Sequence, residues 1–175
     1  MKDLVRLFAD IALLRRGPED LPASVALLLA TSVAFFLANV ALNSVFPPIP
    51  GPWFGQLVVA MGFTLAWYAL LLAAARRKER FLQTTTALFG YQTVLAPLWI
   101  AAVWMVGRYR DDPPMLFPVS LVGLAVLIWT LTVNVRILRS ALDWPIGSCV
   151  AIVVLQTIAR ELLLIGLFSS GHNPA

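Results

Sequence analysis

"IGSCVAIVVLQTIARELLLIGLF", residues 146–168, is the stretch on which the architecture turns. An α-helix of this length rises about 34 Å, enough to cross the ~30 Å hydrocarbon core of a bilayer. Yet Arg160 and Glu161 stand side by side inside it, and only 14 residues of the run precede Arg160. Thirteen Leu, Ile, Val and Phe residues favour insertion. On a biological insertion scale they contribute roughly −4 to −8 kcal/mol in total, against about 2.5–3.5 kcal/mol for each ion at the bilayer centre. The balance is close. A full span is expected, provided other helices shelter the two ions. A re-entrant or interfacial segment is the alternative.

Four further apolar segments precede it, at about 21–46, 54–75, 84–106 and 115–135. Each approaches or exceeds the ~20 residues a spanning helix needs. Helices satisfy their own backbone hydrogen bonds, which lipid cannot do, so secondary structure follows from the solvent. The ten-residue alternation of a membrane barrel is absent. Proline-rich "FPPIPGPWF" (46–54) separates the first two segments; "RRKER" (76–80), "GRYRDDPP" (107–114) and "RILRSALDWP" (136–145) separate the others. Trp53, Trp104, Tyr109 and Trp144 fall near the segment ends, where amphipathic rings favour the membrane–water boundary.

Composition agrees. Of 175 residues, 60% are apolar and 13% charged, with mean hydropathy +0.85. A soluble domain carries about 25% charged residues. Such a chain has more apolar surface than a small core can hide. The expected fold class is all-α: a polytopic membrane helical bundle with five transmembrane helices and an N-terminal amphipathic helix. Residues 1–20 form the lead, 21–169 the five-helix domain and 170–175 a polar tail. No cleavable signal peptide or lipidation motif is expected.

The lead "KDLVRLFADIALLR" (2–15) repeats Leu4, Leu7, Phe8, Ile11 and Leu14 at helical spacing, with Lys2, Asp3, Arg6 and Asp10 off that stripe. The stripe fits a membrane surface or a groove in the protein's own helices, and the pattern does not choose between them.

Net charge is +4, and eleven of the thirteen cations are arginine. They flank the apolar runs, which points to membrane orientation rather than nucleic acid. Ten lie on one side: Lys2, Arg6, Arg15 and Arg16 in the lead, Arg76, Arg77, Lys78 and Arg80 after the second segment, and Arg136 and Arg139 after the fourth. Only Arg108 and Arg110 lie on the other. The positive-inside rule then puts the N-terminus in the cytoplasm and the C-terminus outside. The "RRKER" cations Arg76, Arg77, Lys78 and Arg80 are candidates for contact with anionic lipid headgroups.

No catalytic or metal-binding constellation is recognisable. The single histidine, His172, is in the polar tail, and the single cysteine, Cys149, reads as a small buried hydrophobe. No phosphate loop or nucleophile elbow is present, and no cofactor is expected. What remains is an intramembrane polar network. Neighbours on a helix point about 100° apart, so Arg160 and Glu161 are expected to seek separate partners. Gln156 lies one turn before Arg160; Asn39, Thr64, Gln92 and Thr93 lie at comparable depth, and Pro97 frees the Thr93 carbonyl. Arg160 is expected to face the interior and bind Asn39, Gln92 or that carbonyl. It then serves an anion or substrate site, tethers helix register, or snorkels to the headgroups. Ala26, Ala30, Ala34 and Ala38 form a small-residue stripe, and Gly147 and Ala151 repeat its spacing. The stripe suggests that the first span is central.

"TALFGYQTVLAPLWI" (86–100), with Gly90-Tyr91 followed by Pro97, resembles the third helix of the Yip family, the Rab/Ypt-interacting-protein-like membrane proteins, including its bacterial branch. "RRGPEDLPAS" (15–24) is also similar to bacterial members, and the layout corresponds over about residues 1–169. The resemblance implies five packed spans, a cytoplasmic N-terminus and a non-enzymatic scaffold or trafficking-type role. It carries no Rab-related function. The expected role is therefore a membrane-organising scaffold or an accessory subunit of a larger complex in a bacterial inner membrane. Its expected partners are lipids, other membrane subunits or further copies of the chain, without nucleic acid. A transporter or channel subunit using Arg160 and Glu161 is the alternative.

Overall fold

A computed structural model describes residues 2–45 and 52–168 of the chain. Six α-helices follow one another: α1 (Lys2–Ala12), α2 (Val25–Val45), α3 (Trp53–Ala74), α4 (Phe81–Arg108), α5 (Pro113–Leu142) and α6 (Ile146–Phe168). Short 3-10 turns at Pro18–Asp20 and Lys78–Arg80 lead into α2 and α4. Five helices, α2 to α6, are long and apolar enough to cross a membrane. The fold is an all-α membrane bundle with an amphipathic helix in front. Most of the 46–54 linker, the tail at 170–175 and His172 lie outside the described residues.

The stretch that decides the count is one unbroken helix, α6. Its neighbour α5 runs seven residues beyond the expected limit at 135. Those last two turns are amphipathic rather than apolar, which is why hydropathy ended the span too early. Ile137, Leu138, Ala141 and Leu142 are buried, while Arg136 and Arg139 face outward. The first span also starts later than expected, at Val25, because Leu21 is buried within the folded lead rather than in the helix.

The central helix is α4, not α2. Thr84 to Tyr91 are buried without interruption, so this part of α4 is covered on every side. Short side chains explain it: threonines, Ala87 and Gly90 let neighbouring helices approach closely. The Thr84 and Thr85 hydroxyls donate to the carbonyls of Arg80 (2.8 Å) and Phe81 (2.7 Å), which disposes of their polarity inside the helix. The alanine stripe of α2 does not mark the centre. Ala26 and Ala30 are exposed, and α2 meets α4 through Phe35. The Phe35 and Phe89 rings lie 5.1 Å apart.

The amphipathic lead packs on the protein's own helices. Ile11 and Ala12 are buried, and Phe8 seats its ring directly over Gly90 of α4. A single Cβ at Gly90 would overlap that ring. Two features end α1 at this place. Its last turn closes with Arg15 N–H donating to the Asp10 carbonyl (2.8 Å) and Leu14 N–H to the Ile11 carbonyl (3.0 Å), Leu14 taking the left-handed conformation (φ 62°). The Trp129 indole of α5 donates to the Ala12 carbonyl at 2.9 Å.

Further ties hold the same end of the bundle, the one rich in arginine. Arg80 donates to the carbonyls of Ser140 (2.7 Å) and Ala141 (3.2 Å) at the C-terminus of α5, where the helix dipole favours a cation. Asp143 pairs with Arg77 (2.8 Å) and Arg80 (3.3 Å). Gln83 donates to the Leu21 carbonyl at 2.7 Å, and the Ser140 hydroxyl to Glu19. The core, including Tyr68, Leu72, Leu88, Val133, Ile137, Cys149 and Val153, gathers in this half. Toward the other end α5 shows Met115, Phe117, Leu121 and Leu124 on its exterior, as a lipid-facing helix does.

The Phe8–Gly90 contact gives a direct check. Gly90→Ala is expected to destabilise the protein in detergent by about 1–3 kcal/mol through overpacking. Phe8→Ala in the same chain should remove most of that penalty, so the two changes cost clearly less together than the sum of their separate unfolding effects.

Candidate functional site

Five of the residues singled out from sequence converge, Thr64 among them. Arg160 and Gln156 of α6, Asn39 of α2 and Gln92 of α4 line one chamber of about 110 Å³ between the helices. Thr64 and Tyr68 of α3, Asn134 of α5 and Thr157 of α6 complete its polar wall, with Phe35, Leu57 and Phe89 among the apolar parts. Five helices therefore contribute to one site. At 1.5 Å per residue, the polar groups lie from about 9 Å (Tyr68) to about 21 Å (Arg160) from the arginine-rich end of their helices. That interval straddles the middle of a bilayer.

Each helix places its residue for a local reason. Asn39 donates to the Phe35 carbonyl (2.9 Å), Thr64 to Ala60 (2.9 Å) and Thr157 to Val153 (2.9 Å), each one turn back along its own helix. These bonds satisfy donors and leave side-chain oxygens able to accept. Asn134 is held across helices, its Oδ1 accepting a short hydrogen bond from the Tyr91 hydroxyl. Gln92 donates weakly to the same hydroxyl at 3.4 Å. A second α4–α5 tie, Trp99 N–H to the Thr130 hydroxyl at 3.1 Å, lies farther along.

Tyr68 is different. It is 1% exposed, and its hydroxyl has no hydrogen-bond partner among the described residues. A buried hydroxyl without a partner costs about 1–3 kcal/mol. Tyr68 is also one of the residues that line the chamber. At ~30 Å³ per water, the volume corresponds to roughly three or four waters or one small polar solute.

The ionic pair overturns the expectation that Arg160 and Glu161 cannot bond to each other. Arg160 Nη2 and Nε donate to Glu161 Oε1 at 2.6 and 3.1 Å. The Cα–Cβ vectors do diverge, but the arginine side chain is long enough to bend around the helix surface. The pair is not enclosed: the Arg160 and Glu161 side chains are 42% and 53% exposed. Arg160 therefore stands at the chamber's edge, with one flank on the cavity and Glu161 on the other. It makes no hydrogen bond to Asn39, Gln92 or the Thr93 carbonyl, the partners expected from sequence. The Thr93 hydroxyl donates to Phe89 (2.8 Å), Pro97 is exposed, and neither lines the chamber.

Asn134 and Thr157 were not anticipated, and Tyr68 was legible only as a ring deep in its span that packing or a cavity must accommodate. Asn134 had a readable signal, an amide inside an apolar run, but the early end assigned to its span put it at the boundary. Of the cations proposed for lipid contact, Arg77 and Arg80 are engaged in the ties to Asp143 and α5, while Arg76 and Lys78 face outward. Cys149 is buried, as expected. Among the described residues no three His, Cys, Asp or Glu side chains converge. The chamber's own chemistry is that of amides, hydroxyls and one guanidinium: it can bind and orient a polar solute.

In comparisons with protein-family models, curated proteins and solved structures, nothing matched this chain. The Gly90-Tyr91 pair that carries the resemblance to the Yip family has local work here: Gly90 admits Phe8, and Tyr91 holds Asn134.

The α4–α5 bond is measurable. In a double-mutant cycle, Tyr91→Phe and Asn134→Ala should couple by about 0.6–1.7 kcal/mol, the range for interhelical hydrogen bonds within membranes. Independent additive effects on unfolding in detergent would show that the bond contributes nothing.

Proposed function

We propose that this non-enzymatic integral membrane protein binds a small polar solute in the chamber between its helices and acts as a component of a transport or channel system. The observation that carries the reading is Tyr68: a buried hydroxyl without a partner, on the wall of a polar cavity that Arg160 borders. Polar and ionisable groups near the bilayer midplane are costly, and they recur where substrates or ions pass. The membrane in this reading is a bacterial inner membrane, and the charge distribution supports an orientation with the arginine-rich end in the cytoplasm, the N-terminus inside and the C-terminus outside.

A scaffold or accessory-subunit role, which the Yip resemblance implies, is the second reading. One observation favours it. Gly62 on α3 and Gly147 on α6 are exposed, and a Cβ on either would meet nothing within 4 Å. Such positions let a foreign helix approach closely.

Cysteine accessibility separates the two. In a Cys149→Ala background, single cysteines at Gln156 and Arg160 should react with a small membrane-impermeant thiol reagent in sealed vesicles, whereas cysteines at lipid-facing Leu155 and Leu162 should not. Uniform protection of all four positions would remove the solute reading and leave the scaffold. Orientation has its own check. Reporter tags before Met1 and after Ala175 are expected to report from opposite compartments, the first from the cytoplasm.

A further inference from the structure

We propose that the corner between α5 and α6 is a specific binding site for an anionic phospholipid. The site is separate from the chamber and independent of any solute there. An open groove of about 920 Å³ lies at the arginine-rich end, walled by Leu14, Val135, Arg136, Arg139, Trp144 and Ile146. This volume falls within the usual ~300–1,000 Å³ of small-molecule sites.

Charge is the first argument. Arg136 and Arg139 are three residues apart on α5, both face outward and both line the groove. Neither forms an ion pair or side-chain hydrogen bond among the described residues, unlike Arg77 and Arg80. The one carboxylate of the groove, Asp143, is already held by Arg77 and Arg80 and does not answer them. Two guanidiniums on one face of a helix, close to the end of a membrane span, make a fork for a phosphate diester.

The apolar wall is the second argument. Ile146 continues the lipid-facing surface of α6, half-buried Val135 of α5 lines the groove beside it, and exposed Trp144 sits at the turn between the helices, where indoles favour the headgroup level. A soluble anion would gain nothing from that wall. A phospholipid presents its phosphate to the arginines and lays an acyl chain along Val135 and Ile146. Basic pockets between helices at a membrane boundary hold lipid headgroups in this way.

The whole chain is reconstituted in phosphatidylcholine nanodiscs containing a minority of phosphatidylglycerol. It is then extracted gently, and retained lipid is measured by native mass spectrometry. The wild-type chain is expected to retain phosphatidylglycerol in preference to phosphatidylcholine, and inorganic phosphate should not displace it. Arg136→Gln with Arg139→Gln should weaken retention roughly 30-fold, from the contribution of two basic residues near an anionic surface. Arg76→Gln with Lys78→Gln, which removes the same charge outside the groove, should leave it unchanged. Equal losses in both double variants would reduce the effect to diffuse surface charge and overturn the site. So would displacement by phosphate, or equal retention of the two lipids. If the Arg136/Arg139 variant does not fold, a photoreactive residue at Val135 in the otherwise native chain decides: preferential crosslinking to phosphatidylglycerol supports the site, and indifferent crosslinking overturns it.

Discussion

Close approach of helices around α4 is the constraint on which this bundle depends. Between lipid-soaked helices there is no hydrophobic force to drive association, so packing must come from short distances and complementary shapes. The segment from Thr84 to Gly90 offers threonines, an alanine and a glycine on successive faces. The consequence is a helix with no lipid-facing side over two turns. Once α4 is surrounded, α2 and α5 are set on either side of it, and α1 has one place to go: the notch above Gly90 that Phe8 fills. The Trp129 bond to Ala12 and the Arg80 bonds to α5 are then ties across surfaces already brought together.

That constraint is nearly invisible to hydropathy, which explains what could and could not be read from sequence. The five spans were legible because lipid demands about 20 apolar residues and satisfied backbones, and nothing else in the chain competes for that signal. The partner of α1 was not legible. Leu4, Phe8 and Ile11 form a stripe that a membrane surface and a protein groove would accept equally. The centre of the bundle was misread because alanine spacing on α2 looked like a packing face, while "TTT" at 84–86 looked like the polar start of a span. In truth the threonines are the packing face, the Thr84 and Thr85 hydroxyls folded back onto carbonyls one turn earlier.

The chamber shows the same division. Depth along each helix can be counted from sequence, and depth alone grouped Arg160, Gln156, Asn39 and Gln92. Rotation about each helix axis cannot be counted, because it is set by tertiary contacts. Thr93 therefore turned away although its depth was right, and Tyr68, whose depth called for packing or a cavity, entered the chamber from α3. Asn134 failed for a third reason. Apolar character is lost at Arg136, but those last turns are buried on one face within the bundle, and they carry the helix on to Leu142.

The adjacent ions can now be understood as a pair with divided duties. Two separated charges in lipid each carry a desolvation cost, whereas a bonded Arg160–Glu161 doublet is neutral as a whole. Adjacency on the helix achieves that neutrality without fixing a partner on another helix, so α6 is not tethered by it. It also leaves Arg160 Nη1 without a hydrogen bond among the described residues, on a side chain that borders the chamber where Tyr68 also lacks a partner. A guanidinium serving only as a tether would spend its donors on carbonyls across the bundle, as Arg80 does at the other end. Arg160 instead keeps its charge balanced from outside and its remaining donor capacity beside the cavity. Such a group can meet a polar occupant in the chamber without first breaking a helix–helix contact.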